Sequence, residues 1–263
     1  IDGGGLNILD PKKGAIKKLF YDFNEPHSLS SNAVYSLYRD DQGIIWVGTF
    51  NGGISLYNPN KKAIAHHTQT ANTTSLSHRA VLSFLEDNDG EIWVGTDGGG
   101  LNHFNRENRT FQHFEHSPTN PKSLSSNAVT ALYQDMEGNF WVGTYAGGLN
   151  RFDKEKGAFE SYRYDPENPH SISNNNVWSM LEDSHGNLWI GTLGGLNLLE
   201  RKSLRFQQVA DREGELVRVT CLEEDSRGYL WVGGNGVARY HIEEKKLEQF
   251  PHLANLDVRS IFE

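Results

Sequence analysis

The sequence contains one cysteine, Cys221, among its 263 residues, so an internal disulfide is excluded. A large repeat core needs no disulfide, and the low cysteine content therefore does not exclude an extracytoplasmic location. No apolar run reaches the length of a membrane-spanning helix, and no signal peptide is recognisable. The net charge is -9 and long basic runs are lacking, which argues against nucleic-acid binding because phosphates would be repelled.

A tryptophan-centred motif recurs along the chain. It reads IIWVGT at 44–49, IWVGT at 92–96, FWVGT at 140–144, LWIGT at 188–192 and LWVGG at 230–234. The spacings between successive tryptophans are 47, 48, 48 and 42 residues. A fixed period of this size predicts a repeat architecture.

Each tryptophan follows an Asp-x-x-Gly tetrapeptide, the first of which runs from Asp40 to Gly43. Aspartate at the first position and glycine at the fourth are typical of a type I turn. A strand such as AVYSLYRD precedes the turn, and a Gly-Gly pair followed by another strand comes after the tryptophan. With a more polar fourth strand, for example at 110–116, each period supplies four short antiparallel strands.

This pattern predicts that residues 1–263 are an all-β protein, a β-propeller fragment of about five and a half four-stranded antiparallel blades around a central axis. The tryptophan strand is apolar on both faces, so we expect each indole to fill the gap between two blades. We also expect the chain to be an excerpt of a longer polypeptide. The predicted blades lie at about 32–70, 79–116, 127–164, 175–209 and 217–250, with a partial blade at 1–24 and the start of another at 255–263.

The combined motif resembles the two-component regulator propeller repeat. It reads D-x-x-G-x-[ILF]-W-[VI]-G-T-x-x-G-G-[LI]-[NS] and is preceded by S-[LI]-S-x-x-x-V. The last full blade departs from it, because Gly233-Gly234-Asn235-Gly236 replaces the Gly-Thr step and no Ser-Leu-Ser segment precedes Val219.

The resemblance implies the extracytoplasmic sensor propeller of a hybrid two-component histidine kinase of the Bacteroidetes type. Such a module would detect oligosaccharides on the periplasmic side of a membrane-anchored parent protein. The resemblance further implies that the membrane is reached only through the parent chain, and that kinase activity lies there and not in this fragment. A homodimer of the parent extracytoplasmic domain is a further expectation.

Chain connectivity places two loops on the same face of a blade, the loop before the first strand and the loop between the second and third strands. Positions that vary there on a constant framework are expected to carry specificity. Phe50 and Tyr145 are suited to stacking on a sugar ring, and Asn51 and Asp97 to bonding hydroxyl groups. Ordinary turn packing is the alternative for each of them.

Arg79, next to His78, stands where the other loops have asparagine, at 32, 127 and 175. We therefore predict that Arg79 contacts an anionic or hydroxylated ligand, with His78 beside it. Serine and asparagine in these loops can instead simply bond nearby backbone groups.

Catalytic motifs, metal-binding spacings and phosphate-cradling loops are missing from the sequence, so we expect no catalytic residue, metal ion or cofactor. His66 and His67 fall in a predicted outer strand, where solvent exposure is the expected state. A small molecule or oligosaccharide is the expected partner. The alternatives are a propeller enzyme of the lyase or glycan-cleaving type, which would use the few ionisable groups near the axis, and a scaffold for protein contacts.

Overall fold

The computed structural model describes residues 3–209, 218–254 and 256–262. Within these ranges the regular structure consists of β-strands and one short 3-10 turn, Pro251–Leu253. No helix in this part of the chain is long and apolar enough to cross a bilayer. The strands form five four-stranded antiparallel sheets and one two-stranded sheet, which confirms the predicted all-β propeller blades.

The chain divides into two compact units. Unit 1 comprises Ile1–His116 and Asn127–Val129, and unit 2 comprises Ser117–Ser126 and Thr130–Glu263. Unit 1 contains a hairpin and two blades. The strands are, for the hairpin, β1 (Leu6–Asp10) and β2 (Ala15–Leu19); for the first blade, β3 (Val34–Arg39), β4 (Ile45–Thr49), β5 (Ile54–Asn58) and β6 (Ala63–His67); and for the second blade, β7 (Val81–Glu86), β8 (Ile92–Thr96), β9 (Leu101–Asn105) and β10 (Thr110–Phe114).

Unit 2 contains three blades, although the first residue of its first strand belongs to unit 1. In every blade, strands that follow one another in sequence are also neighbours in the sheet. The strands are, for the third blade, β11 (Val129–Gln134), β12 (Phe140–Thr144), β13 (Gly148–Asp153) and β14 (Ala158–Tyr162); for the fourth, β15 (Val177–Glu182), β16 (Leu188–Thr192), β17 (Gly195–Glu200) and β18 (Arg205–Val209); and for the fifth, β19 (Val219–Glu224), β20 (Tyr229–Gly234), β21 (Gly236–His241) and β22 (Lys246–Gln249).

Where the next blade belongs to the same unit, the tryptophan of the second strand packs against it. In unit 1, the ring of Trp46 lies 6.0 Å from that of Phe84 and 5.3 Å from that of Phe104, both in the second blade. In unit 2, Trp189 contacts Tyr240 of the fifth blade at 5.3 Å. Both indoles are buried, so burial of aromatic surface between blades supplies much of the core.

The first strands of the two blades of unit 1 approach one another closely. Ser36 lies opposite Gly48 in the β3–β4 ladder, and its hydroxyl donates to the carbonyl oxygen of Val81 in the second blade at 3.3 Å. A Cβ atom on Gly48 would lie 2.2 Å from Ser36 Oγ and 2.8 Å from Val81 Cγ1. The glycine of the Trp-Val-Gly-Thr motif and the small residue of the first strand are thus required by the same contact.

The loops between blades run along the outer strand of the following blade. The backbone amide of Phe111 donates to Thr74 O at 2.8 Å, and the same bond joins Phe159 to Lys122 and Phe206 to His170. The leucine or isoleucine of each Ser-x-Ser segment is almost completely buried. The loops therefore cover strand edges that would otherwise be exposed.

The expectation of solvent exposure is wrong for His67. Its ring lies edge-on to Phe104 and Phe111 of the second blade, with centroid distances of 5.0 and 5.6 Å. Burial, together with the nearby charges of Arg109 and His66, lowers the pKa of His67 to about 4. The histidine is thus part of the packing between the two blades.

The described C-terminal segment, 256–262, forms an isolated bridge and no strand. Asp257 bridges to Asn235, and the amide of Val258 donates to Gly234 O at 2.9 Å. Val258 lies against Gly233 in the way that Val81 lies against Gly48. The start of a further blade at 255–263 stays a prediction.

Candidate functional site

One end of each blade carries the Asp-x-x-Gly turn and is called the turn end. Its aspartate accepts a hydrogen bond from the indole N–H of the tryptophan six residues later, besides closing the turn. The Nε1–Oδ2 distances are 2.9 Å for Trp46–Asp40, 2.8 Å for Trp93–Asp87, 2.8 Å for Trp141–Asp135, 2.7 Å for Trp189–Asp183 and 2.7 Å for Trp231–Asp225. The constant aspartate therefore has a structural role, because it satisfies an indole donor that packing removes from water.

An arginine of the following blade reinforces this end in both units. In unit 2, Arg201 donates to Asp135 Oδ2 at 2.7 Å and to a carboxylate oxygen of Glu182. Burial by itself would raise the pKa of Asp135, but hydrogen bonds from Trp141, Asn139 and Arg201 outweigh it and lower the pKa. In unit 1, Arg106 joins Asp40 and Glu86 in the same way. These carboxylates are committed to holding blades together.

The opposite end of each blade is called the loop end, and its constant residues also bond one another. Thr49 donates from its hydroxyl to Gly53 O at 2.9 Å and accepts from the amide of Gly52. The residue after the Gly-Gly-Leu step fixes the Ser-Leu-Ser segment, as Asn102 Oδ1 does by accepting from the Ser77 amide at 3.0 Å. The Gly-Thr, Gly-Gly and Ser-Leu-Ser elements thus form a buried structural network.

The second glycine of each of the first three pairs also connects its blade to the next loop. The amide of Gly53 donates to Arg79 O at 2.8 Å, and Gly100 bonds Asn127 O at the same distance. Gly53 has a φ of 77°, and a Cβ atom there would lie 2.3 Å from His67 O. Both the left-handed backbone and the close approach therefore require glycine.

The side chain at the loop position of Arg79 is structural in the first, third and fourth blades. Asn32 Oδ1 accepts from the amide of Tyr21 at 2.7 Å, Asn127 from His116 at 2.6 Å and Asn175 from Tyr164 at 2.8 Å. These three asparagines therefore bond nearby backbone, which was the alternative to ligand binding for the serine and asparagine residues of these loops. Arg79 has no acceptor atom and is exposed.

Five of the six predicted ligand-binding residues lie at the loop end of unit 1, in three adjacent loops. The Phe50 amide bonds Ala33 O at 3.0 Å, and the Asp97 amide bonds Ala80 O at 3.0 Å. Because Gly53 bonds Arg79, these contacts bring together the loops that carry Phe50, Asn51, His78, Arg79 and Asp97.

Three of these side chains are free of protein partners. The side chains of Asn51, Arg79 and Asp97 make no hydrogen bond or ion pair with any residue that the structure describes, and all three residues are exposed. His78 differs, because its Nδ1 accepts from the Ala80 amide at 3.2 Å. The free groups include a cation, an anion and an amide, a set that suits a polar ligand.

Tyr35 was missed by sequence reasoning and belongs to this site. Its ring lies 5.2 Å from that of Phe50 at an angle of 44°, and both rings are about half exposed. The equivalent first-strand residue in the third blade is the buried Thr130. A large aromatic residue where another blade has a buried threonine was the available signal.

Tyr145, the sixth predicted residue, lies in unit 2. Its side chain is 50% exposed, and the next residue, Ala146, has a φ of 62° and donates its amide to Asn176 Oδ1. The strained turn presents the ring to solvent, as predicted for a contact residue. Its role in binding stays a prediction.

A surface groove of about 830 Å³ lies elsewhere, on the outer part of the fourth blade. Its walls include His170, Arg201, Arg205, Phe206 and Gln208. Arg201 is already held by two carboxylates and Phe206 belongs to the core, so these two wall residues have structural roles.

Neither a reactive thiol nor a metal-binding cluster is found among the described residues. Burial raises the pKa of the Cys221 thiol to about 11, which makes it a poor nucleophile. Among the residues in the described ranges, no three histidine, cysteine, aspartate or glutamate side chains are grouped so that they can hold a metal ion.

The repeated sheets and their bonded motif define a β-propeller repeat protein. A family model, the two component regulator propeller, matches residues 28–51, 75–98, 123–146, 171–194 and 213–236. Each match runs from the Ser-Leu-Ser region or its equivalent through the tryptophan strand to the variable loop. The chain belongs to the two-component regulator propeller family.

Solved structures with the same fold include two extracellular domains attributed to hybrid two component systems of B. thetaiotaomicron. For the first, the TM-score is 0.72 and the sequence identity 24%, and the match covers 88% of this chain and 31% of that domain. For the second, the TM-score is 0.70 and the sequence identity 20%, and the match covers 96% of this chain and 42% of that domain. The chain thus spans less than half of either domain.

A virginiamycin B lyase from Staphylococcus aureus is also similar, with a TM-score of 0.68 and 14% identity over 95% of this chain and 78% of the lyase. At such identities the likeness concerns the fold alone. A comparison with curated proteins gives no match.

Proposed function

We propose that the chain is the ligand-sensing propeller of a membrane-anchored two-component protein, that it works on the periplasmic side, and that it detects oligosaccharides. Membership of the two-component regulator propeller family supports a signalling role. The similarity to extracellular domains of two component systems supports the location. A histidine kinase in the parent protein is part of the same proposal.

The observation that carries the proposal is the composition of the loop end of unit 1. The Tyr35–Phe50 pair offers exposed aromatic surface, and the exposed groups of Asn51, Arg79 and Asp97 lack protein partners. A sugar has apolar C–H faces and hydroxyl groups at its edges, so it can use both features. Elsewhere in the blades the constant polar groups are bonded to one another, as at Thr49 and Asn102.

The test is calorimetric titration of the chain with a panel of neutral and acidic oligosaccharides. We expect one or more to bind, and Phe50→Ala to weaken binding by about fivefold, since stacking contributes on the order of 1 kcal/mol. Phe23→Ala is the matched control, because Phe23 is 86% exposed and lies in another loop. Absence of binding across the panel, or an equal loss in both variants, would contradict the proposal.

A lyase-like enzyme is the second candidate, favoured by the similarity to virginiamycin B lyase over most of the chain. Ionisable groups at the loop end of unit 1 include His78, Arg79 and Asp97. Mass spectrometry of each oligosaccharide after prolonged incubation separates the candidates. We expect binding without cleavage, and a product that disappears in His78→Gln would favour the enzyme.

A further inference from the structure

We propose that the ligand carries an anionic carboxylate or sulfate group, and that Arg79 binds this group. The inference rests on the proposed ligand-binding role of the loop end of unit 1. It goes further by naming the chemistry of the ligand and the residue that recognises it.

The repeat itself provides the first reason. At the position of Arg79 the other loops use Asn32, Asn127 and Asn175 to bond a backbone amide. A guanidinium group has donors only, so Arg79 cannot make this bond. In this blade a structural hydrogen bond has been replaced by an exposed cation.

The second reason is that the backbone of Arg79 is fixed. Its carbonyl accepts from Gly53, and the neighbouring residues Leu76 and Ala80 are buried. The His78 side chain closes a local turn by accepting from the Ala80 amide. The guanidinium is therefore presented from a rigid point, which lowers the entropic cost of binding a ligand.

The third reason is electrostatic. Arg106 and Arg201 pair with buried carboxylates, whereas Arg79 pairs with none of the described residues in a chain of net charge -9. Guanidinium groups bind carboxylate and sulfate oxygens through two parallel hydrogen bonds. Arg79 thus has its full donor capacity available.

Asp97 determines the orientation of the ligand in the site. Its amide bonds Ala80 O, one residue from Arg79, yet the two side chains form no ion pair. A carboxylate at this place repels anions and accepts bonds from hydroxyl groups. The anionic end is therefore expected on the Phe50 side of Arg79, with neutral hydroxyl-bearing rings toward Asp97.

The experiment compares oligosaccharide pairs that differ in one group: a uronic acid against the corresponding neutral sugar, and a sulfated sugar against its unsulfated form. We expect at least one acidic member to bind about 10- to 100-fold more tightly, the range expected for a hydrogen bond to a charged group. The preference should shrink as salt is raised.

The decisive variant is Arg79→Asn, which restores the residue of the other loops. It should keep the fold and abolish the preference for the acidic member while leaving the neutral member bound. Arg227→Asn, at an exposed arginine of the turn end in unit 2, is the matched control and should change neither affinity.

The outcomes distinguish the two proposals. Binding that depends on Phe50 but shows no acidic preference, or a preference that survives Arg79→Asn, overturns the anionic ligand and leaves oligosaccharide sensing intact. Absence of binding to any member overturns both. Selectivity for the uronate or the sulfate arm identifies which oxyanion is recognised.

Discussion

The two ends of the blades use the same repeat in opposite ways. At the turn end, every tryptophan bonds its aspartate, and the distances agree within 0.2 Å, from 2.7 to 2.9 Å. At the loop end, the residue after the Gly-Thr step is Phe50, Asp97, Tyr145 or Leu193 in successive blades. The constant residues thus make buried hydrogen bonds, whereas three of the four variable residues, Phe50, Asp97 and Tyr145, are exposed.

This difference indicates where change is tolerated. A buried polar group that loses its partner destabilises the fold by about 1–3 kcal/mol, so the turn end can vary little. Side chains that make no intramolecular bond can change without that loss, so the loop end is available for ligand recognition. Substitutions at the two ends test this interpretation.

The largest effect is expected from Trp141→Ala in unit 2. Trp141 is 1% exposed and contributes to the core between the third and fourth blades. Its removal should lower the free energy of unfolding by about 3–5 kcal/mol, through lost burial and the cavity left behind. Denaturant titration measures this loss, and a loss below about 1 kcal/mol would show that the blades do not depend on the indole.

The next effect is expected from Asp135→Ala, which leaves the Trp141 indole without an acceptor and removes one of the carboxylates that Arg201 binds. We expect a loss of about 3 kcal/mol, as for other broken buried pairs. Asp225→Ala is the comparison, because Asp225 also bonds its tryptophan but forms no ion pair with an arginine in the described residues. Its loss should be about 1–2 kcal/mol, and equal losses would contradict a role for the arginine.

His67 gives a pH-dependent effect. Its pKa is about 4 in the folded protein against 6.5 when unperturbed, so between these values the unfolded chain binds more protons. Stability should fall as the pH is lowered from 7 to 4, by about 1–2 kcal/mol from this residue after allowance for partial exposure.

The His67→Phe variant tests this effect because it keeps an aromatic ring next to Phe104 and Phe111. Its stability should decrease less between pH 7 and pH 4 than that of the unsubstituted chain. The same substitution at the exposed His185 should leave the pH dependence unchanged. If the stability of all three proteins changed with pH in the same way, His67 would not titrate as its burial requires.

The smallest effect is expected at the loop end. Asn51→Ala and Tyr145→Ala should each change the free energy of unfolding by less than about 0.5 kcal/mol, because both side chains are exposed. Thermal unfolding measures this directly. A large loss in either variant would assign these residues to packing and remove the contrast between the two ends.

Much of the fold was predictable because it repeats. Five aligned tryptophans, five turns and four glycine pairs predict four strands per period, and the strands fall where the motif predicts them. The exposed loop residues Phe50, Arg79 and Asp97 were also found from the sequence, because they vary within a constant frame. The inward packing of His67 was not, because it depends on rings of the next blade that lie about 40 residues away.

The sequence by itself determined the blade, since period, turn chemistry and glycine placement are local properties that recur in each copy. Only the tertiary structure decided which polar side chains form hydrogen bonds within the protein and which have no protein partner. Asn32 and Arg79 occupy equivalent positions, yet one is bonded to backbone and the other is exposed without a protein partner. The physical reason is that a hydrogen bond needs a partner at the correct distance, and distant parts of the chain supply that partner only after folding.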